Sequence, residues 1–242
     1  VAVVVAQPGE ALLTKELPGR LQAWRTAQVR ARVEGIVEQR LFEEGSDVKA
    51  GMPLYRIDAR TYRTSHAAAK AELAAAQAVV NRYRPLVEMK AVSQQELDAA
   101  EARLRQAEAA LARAELDLEN TTVPAPISGR IGRSLVTEGA LVGRGEATQL
   151  ATIEQIDPIY VNFTQSSVEL LALREAIASG RWKKADTQRM ELVLENDSVY
   201  PLQGKLLFSD LSVDPNTGAV SLRAEFPNPK KELLPGMFVR VR

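Results

Sequence analysis

The spacing of apolar residues changes twice along this chain of 242 residues, and each change marks a different kind of element. Within the stretch from Ala31 to Asp58, Val33, Val37 and Leu41 keep even spacing. These positions fall on one face of a strand pair. Gly35 interrupts that strand, as expected where the backbone bends or approaches a neighbour closely. Val48, Leu54 and Ile57 complete the stretch. From residue 60 to 120 the period becomes helical, and the segment holds 17 alanines, one proline and no glycine. Steps of four and three alternate through Tyr62, His66, Ala69, Leu73, Ala76, Val80, Tyr83 and Val87. They resume through Leu97, Ala100, Leu104, Ala107, Leu111, Ala114 and Leu118. Such sustained alternation predicts a coiled coil, and the short break at Met89 to Ser93 makes its two helices antiparallel. Ser93-Gln-Gln-Glu96 has the form of a capping box that starts the second helix. Arms of about 25 residues would project roughly 38 Å. Pro85 lies one turn before the tip and predicts a kink or a loosened last turn.

The flanks of this hairpin carry one motif twice, 94 residues apart. The first copy is Ala31-Arg-Val33-Glu-Gly35-Ile-Val37, then Leu41, Glu44-Gly45, Val48 and Gly51. The second is Ala125-Pro-Ile127-Ser-Gly129-Arg-Ile131, then Leu135, Glu138-Gly139, Val142 and Gly145. Glu44-Gly45 and Glu138-Gly139 read as turns. Leu150 and Ile153 belong to the closing strand of the second copy. Neither half has enough core alone, so the repeat predicts one β-sandwich assembled from two halves, with the hairpin inserted at their junction.

Beyond Ile153 the pattern returns to short strands: Ile159 to Phe163, Met190 to Leu194, Leu202 to Phe208, Val220 to Phe226 and Met237 to Val241. Turn chemistry at Glu195-Asn196-Asp197, Asp214-Pro215-Asn216-Thr217-Gly218 and Pro235-Gly236 separates them. One helix interrupts the series. Ser166-x-x-Glu169 is expected to cap it, Leu170, Leu173 and Ile177 form its apolar face, and Gly180 stops it. Many short strands and one helix predict a small β-barrel, with residues 14 to 29 supplying another strand. The chain would run out through barrel, sandwich and hairpin and then return, an elongated multidomain α+β arrangement with both termini at one end.

Composition narrows the function classes. Lys plus Arg and Asp plus Glu number 31 each, so no global field favours nucleic acid or anionic lipid. Zero cysteines excludes disulfides, thiolate metal sites and cysteine nucleophiles. No phosphate loop, zinc spacing or nucleophile elbow is present, so no catalytic, cofactor-binding or metal-binding residue is assigned and no enzyme is expected. The opening run Val1 to Ala6 alternates like a strand, is too short to span a bilayer and lacks the flanks of a signal peptide.

The split, glycine-punctuated motif resembles the biotinyl/lipoyl carrier fold, whose halves are joined by a tight turn bearing a modified lysine. With the hairpin in place of that turn, the chain resembles the periplasmic adaptors (membrane fusion proteins) of tripartite RND multidrug efflux pumps. The residues that carry the resemblance are Arg32-Val-Glu-Gly-Ile-Val-Glu with Glu-Gly-Ser-Asp-Val-Lys49, Ala125-Pro-Ile-Ser-Gly129, Asp157-Pro-Ile-Tyr-Val-Asn-Phe-Thr164, and Phe226-Pro-Asn-Pro with Leu233-Leu-Pro-Gly-Met-Phe238. The resemblance implies a partial membrane-proximal strand at 1–12 and a β-barrel domain from 13–29 and 155–242. It further implies a lipoyl-like domain from 30–59 and 122–154, with a helical hairpin at 60–121. As partners it implies an inner-membrane RND transporter, an outer-membrane TolC-like channel and a ring of copies, expected to be a hexamer. The implied location is the periplasm of a Gram-negative bacterium, held to the inner membrane by a segment outside this sequence.

In that family an Arg, a Leu and a Ser around the tip engage the channel, and Arg82, Leu86 and Ser93 stand here at the matching spacing. From spacing alone Arg82 is a solvated charge off the seam, Leu86 is either a flank of the seam or an exposed knob, and Ser93 is a helix cap. His66, the single histidine, reads as a packed residue with a pH-sensitive contact as the alternative. Two other functions fit less of the sequence. One is an adaptor of an ABC-type exporter. The other is a biotinyl/lipoyl carrier domain, for which Met89-Lys90-Ala91 imitates the Met-Lys core of an acceptor site.

Overall fold

The computed structural model describes residues 14–145, 147–180 and 189–242. The strand expected at 1–12 lies outside the described residues. Strands β1 (Leu17–Arg30), β2 (Gly35–Arg40), β3 (Asp47–Val48) and β4 (Pro53–Ile57) lead into helices α1 (Arg60–Glu88) and α2 (Gln94–Glu119). Strands β5 (Thr122–Pro124), β6 (Gly129–Ile131), β7 (Leu141–Val142) and β8 (Gln149–Ser166) follow, and then helix α3 (Ser167–Ala178). The chain closes through β9 (Arg189–Met190), β10 (Leu192–Val193), β11 (Gly204–Val213), β12 (Ala219–Phe226) and β13 (Phe238–Val241). It divides into two compact units, Ala27–Ile153 and the residues up to Thr26 together with Glu154–Arg242. Strands β1 and β8 are where the chain passes from one to the other.

In the unit Ala27–Ile153 the two motif copies interlock through equivalent bonds. Gly35 pairs with Val142 and Gly129 with Val48, so each copy's first strand lies against the other copy's later strand. The turns repeat the exchange: Gly45 N–H donates to Ile131 O at 2.9 Å, and Gly139 N–H to Val37 O at 2.8 Å. Both turn glycines have positive φ, +75° and +87°, which a side chain would resist. Gly35 and Gly129 begin strands β2 and β6 rather than interrupting strands as the spacing predicts. Close approach still requires glycine at position 35, where a Cβ would lie 2.5 Å from Ile57 Cγ2. One apolar core results, holding Val37, Leu54, Tyr55, Ile57, Ile131, Leu150 and Ile153 at 1% exposure or less. Full burial of each such side chain is worth roughly 1.5–3 kcal/mol.

The motif glutamates make the exchange tighter than the turn chemistry implies. Glu138 Oε1 accepts from Arg40 N–H, and Glu44 Oε1 accepts from Ser134 N–H, both at 2.9 Å. Glu44 also pairs with the Arg40 guanidinium at 2.6 Å. Tyr55, fully buried, bonds Ser134 Oγ at 2.7 Å and donates to Leu150 O at 3.0 Å. Burial pushes its phenol pKa up.

Helices α1 and α2 pack antiparallel. His66 and Glu115 meet at 3.6 Å at one end of the pair, and Arg84 and Glu101 at 3.2 Å toward the other. Every residue of the alternating three-four series is buried or half-buried, and Val80, Leu97, Ala100 and Leu104 form the shared core. Asp58 lies just before α1, whose N-cap is Ala59; its carboxylate takes the Arg60 guanidinium and the Arg60 N–H, which draws its pKa down to about 2.

In the other unit the sheet order is β10-β13-β1-β8-β12-β11-β9, over a core of Leu21, Ile159, Val161, Phe163, Phe226 and Leu233. Sequence spacing reads a closing strand near Ile153 and a separate strand from Ile159; the structure runs β8 unbroken through both. Asn228 is fully buried and satisfied. It donates to Ile156 O and Leu233 O and accepts from Leu233 N–H, stitching the loop after β12 to β8. Helix α3 corrects one expectation. Ser166 makes no side-chain cap bond, and the Glu169 carboxylate, which would supply the reciprocal half of a capping box, pairs with Lys15 instead. Gly180, at φ +69°, ends the helix as expected.

Candidate functional site at the helical tip

The tip is built by two complementary end motifs. At the end of α1, Ala91 N–H donates to Leu86 O at 2.8 Å and Lys90 N–H to Val87 O at 2.9 Å. These are the paired bonds of a Schellman turn. Its left-handed position is held by Lys90 at φ +56°, where glycine is usual. At the start of α2 both halves of the capping box form. Glu96 N–H donates to Ser93 Oγ at 3.3 Å, while Ser93 N–H donates to Glu96 Oε2 at 3.0 Å. Ser93 Oγ also donates to the same carboxylate at 2.9 Å. These bonds hold the Glu96 pKa below the ordinary carboxylate value.

Helix α1 continues through Pro85 to Glu88, so the proline sits inside its last turn. Arg82 is exposed and Leu86 half-buried, and at i and i+4 they share one face of α1. The neighbouring Arg84 is committed to Glu101. Among the described residues no carboxylate pairs with Arg82. The Ser93 hydroxyl has spent its proton on Glu96, which leaves one lone pair for anything approaching from outside. Thus Arg82 and Leu86 lie together on α1, while Ser93 lies across the turn with its main work inside the fold.

Two features of the tip escape sequence reading. Met89, the C-cap residue, is 67% exposed, a bare thioether at the turn. Lys90 carries a strained φ that no composition signal announces. The Lys90 geometry also bears on the carrier alternative, since this lysine closes a helix rather than capping a β-turn.

The repeat-built β unit with its inserted helical pair, together with a second β unit, defines the architecture, and comparison with known proteins gives the family. Residues 25–154 match the domain described as "RND MFP, barrel-sandwich hybrid domain", and residues 158–242 match "RND MFPs, beta-barrel domain". The chain is 52% identical over its whole length to the antibiotic efflux pump periplasmic linker protein ArpA of Pseudomonas putida, covering 66% of it. It is 50% identical to the multidrug resistance protein MexA of Pseudomonas aeruginosa, covering 100% of this chain and 64% of that one. Against the multidrug export protein AcrE of Escherichia coli the identity is 52%, over 94% of this chain and 63% of that one. Among solved structures, a MacA–MexA chimera containing the MexA α-hairpin domain of Pseudomonas aeruginosa superposes with a TM-score of 0.77 at 23% identity, over 94% of this chain and 80% of that one. The membrane fusion protein Spr0693 of Streptococcus pneumoniae superposes with a TM-score of 0.70 at 16% identity, over 95% and 98%. The chain belongs to the RND membrane fusion protein family, and it spans just under two thirds of the length of the first curated relatives it matches.

Proposed function

We propose that this chain is the adaptor portion of a tripartite drug-efflux assembly, linking an inner-membrane RND transporter to an outer-membrane channel in the periplasm of a Gram-negative bacterium. Three relatives carry names that fit this reading: a periplasmic linker, a multidrug resistance protein and an export protein. The role is mechanical and non-catalytic. In this reading the parts are a barrel from 13–29 and 155–242, a lipoyl-like sandwich from 30–59 and 122–154, and a coiled-coil hairpin at 60–121. Copies pack side by side into a ring.

The observation that carries the proposal is the uncommitted guanidinium of Arg82, one turn from the half-exposed Leu86, beside a neighbour that is already paired. A carboxylate or carbonyl on a partner helix would take Arg82 by a forked contact, with Leu86 seated against the partner's apolar surface. Ser93 fixes the turn that presents them and offers its remaining lone pair. Co-purification with an outer-membrane channel tests this. Arg82→Ala or Leu86→Ala is expected to weaken association about tenfold, as loss of one charge-assisted or apolar contact would, while the helical melt moves by less than about 2 °C. Unchanged association, or a variant that unfolds the helices, refutes the assignment.

A further inference from the structure

A second site lies in the other unit, on the outer face of its sheet. Strands β13, β1, β8 and β12 are consecutive neighbours there. Arg20 stands opposite Phe238 across β1 and β13, and Arg223 stands opposite Asn162 across β12 and β8. Their sequence neighbours Leu21 and Leu222 point into the core. Between these residues runs a groove of about 520 Å³, lined also by Thr164 and Ser221. That size suits a small organic ligand.

Both guanidinium groups are held in place without being neutralised. Arg20 stacks over the Phe238 ring with its Cζ 4.5 Å from the centroid, and its Nε donates to Gly236 O at 3.2 Å. Arg223 lies 5.0 Å over the Tyr160 ring, and its Nε donates to Asn162 Oδ1 at 2.8 Å. Asn162 is itself fixed, donating through Nδ2 to Gln22 Oε1 at 2.6 Å. The carboxylate next along β12, Glu225, pairs with Lys205 on the far side. Among the described residues neither Arg20 nor Arg223 has a carboxylate partner. Two oriented cations with free terminal nitrogens, flanking a groove that includes an aromatic ring 61% exposed, match an anion with an apolar body.

We propose that this groove binds small amphiphilic carboxylates, with the head group on the terminal nitrogens of Arg20 and Arg223 and the apolar body along Phe238. The site is independent of the hairpin tip and of the adaptor reading. A small acid is favoured over an acidic protein segment because the groove offers two oriented guanidinium groups beside one exposed ring, which matches a single head group with one apolar body. Amide-resolved NMR titration of the whole chain with phenylbutyrate, and with the isosteric phenylbutyramide, tests it. The acid is expected to shift the resonances of Arg20, Asn162, Arg223 and Phe238 and to bind about tenfold more tightly than the amide. Added salt weakens it. Arg20→Gln and Arg223→Gln together bring the acid to the amide's affinity, while the amide binds the double variant as it binds the parent, which shows that the groove keeps its shape. Equal affinity for acid and amide, or shifts confined elsewhere, overturns the proposal. So does a capped peptide of alternating aspartate and leucine that binds the groove when phenylbutyrate does not, since the surface then docks a protein.

Discussion

Removing the two motif glutamates tests the interlock on which the β unit rests. Glu138→Ala deletes one charge-assisted bond, to the N–H of exposed Arg40 at 2.9 Å, and water can replace part of it. A cost of about 1 kcal/mol follows. Glu44→Ala deletes the equivalent bond to the half-buried Ser134 N–H and an ion pair with Arg40 at 2.6 Å. Surface pairs add at most about 1 kcal/mol, so this variant should cost about 1–2 kcal/mol. Both glutamates bond Arg40, one through its N–H and one through its guanidinium, so the double variant should cost about 2–3 kcal/mol with a coupling of about 0.5 kcal/mol or more between the sites. Unfolding entropy of ~2.1 cal/mol/K per residue makes 1 kcal/mol worth about 4 °C for a unit of about 130 residues. Thermal melts of the double variant should therefore fall by roughly 8–12 °C, with Glu44→Ala the larger single effect. If both single variants melt within about 1 °C of the parent, the glutamates are solvated turn residues and the exchange stabilises nothing.

Two further outcomes follow from the helical pair. Lys90→Gly relieves a side chain held at φ +56° and should raise helical stability by about 0.5–1 kcal/mol, read as a higher thermal midpoint by circular dichroism; a lower midpoint would mean the lysine side chain contributes something the turn needs. Asp58 is drawn down to about 2 and Glu96 is lowered as well, so each contributes stability that is complete above its unfolded pKa near 4. That stability is lost as pH falls, for Asp58 across the interval from about 4 to 2. The Asp58→Asn, Glu96→Gln pair should accordingly show a flatter melting temperature over that interval than the parent, and parallel curves would refute the assignment.

The sequence by itself determined the parts whose signal is periodic or repeated. The alternating series from Tyr62 to Leu118 named the inward face of both helices, because one heptad stripe can be satisfied only by a facing helix. Ser93 and Glu96 announced their own cap, since that bond spans one turn and needs no tertiary partner. The same pattern at Ser166 forms no side-chain cap, and its Glu169 carboxylate goes to Lys15, distant in sequence. The 94-residue repeat implied two halves of one unit, yet its spacing could not say that Glu44 and Glu138 each cap the opposite copy. Arg82 and Arg84 look alike in sequence; only the packing of α2 beside α1 brings Glu101 to Arg84, while Arg82 has no carboxylate partner among the described residues. The arginine groove draws its residues from four strands far apart in the chain, so sheet order alone assembles it. Local bonds and periods are written in neighbouring residues, whereas partner choice between distant charges depends on which surfaces the fold brings within a few ångströms.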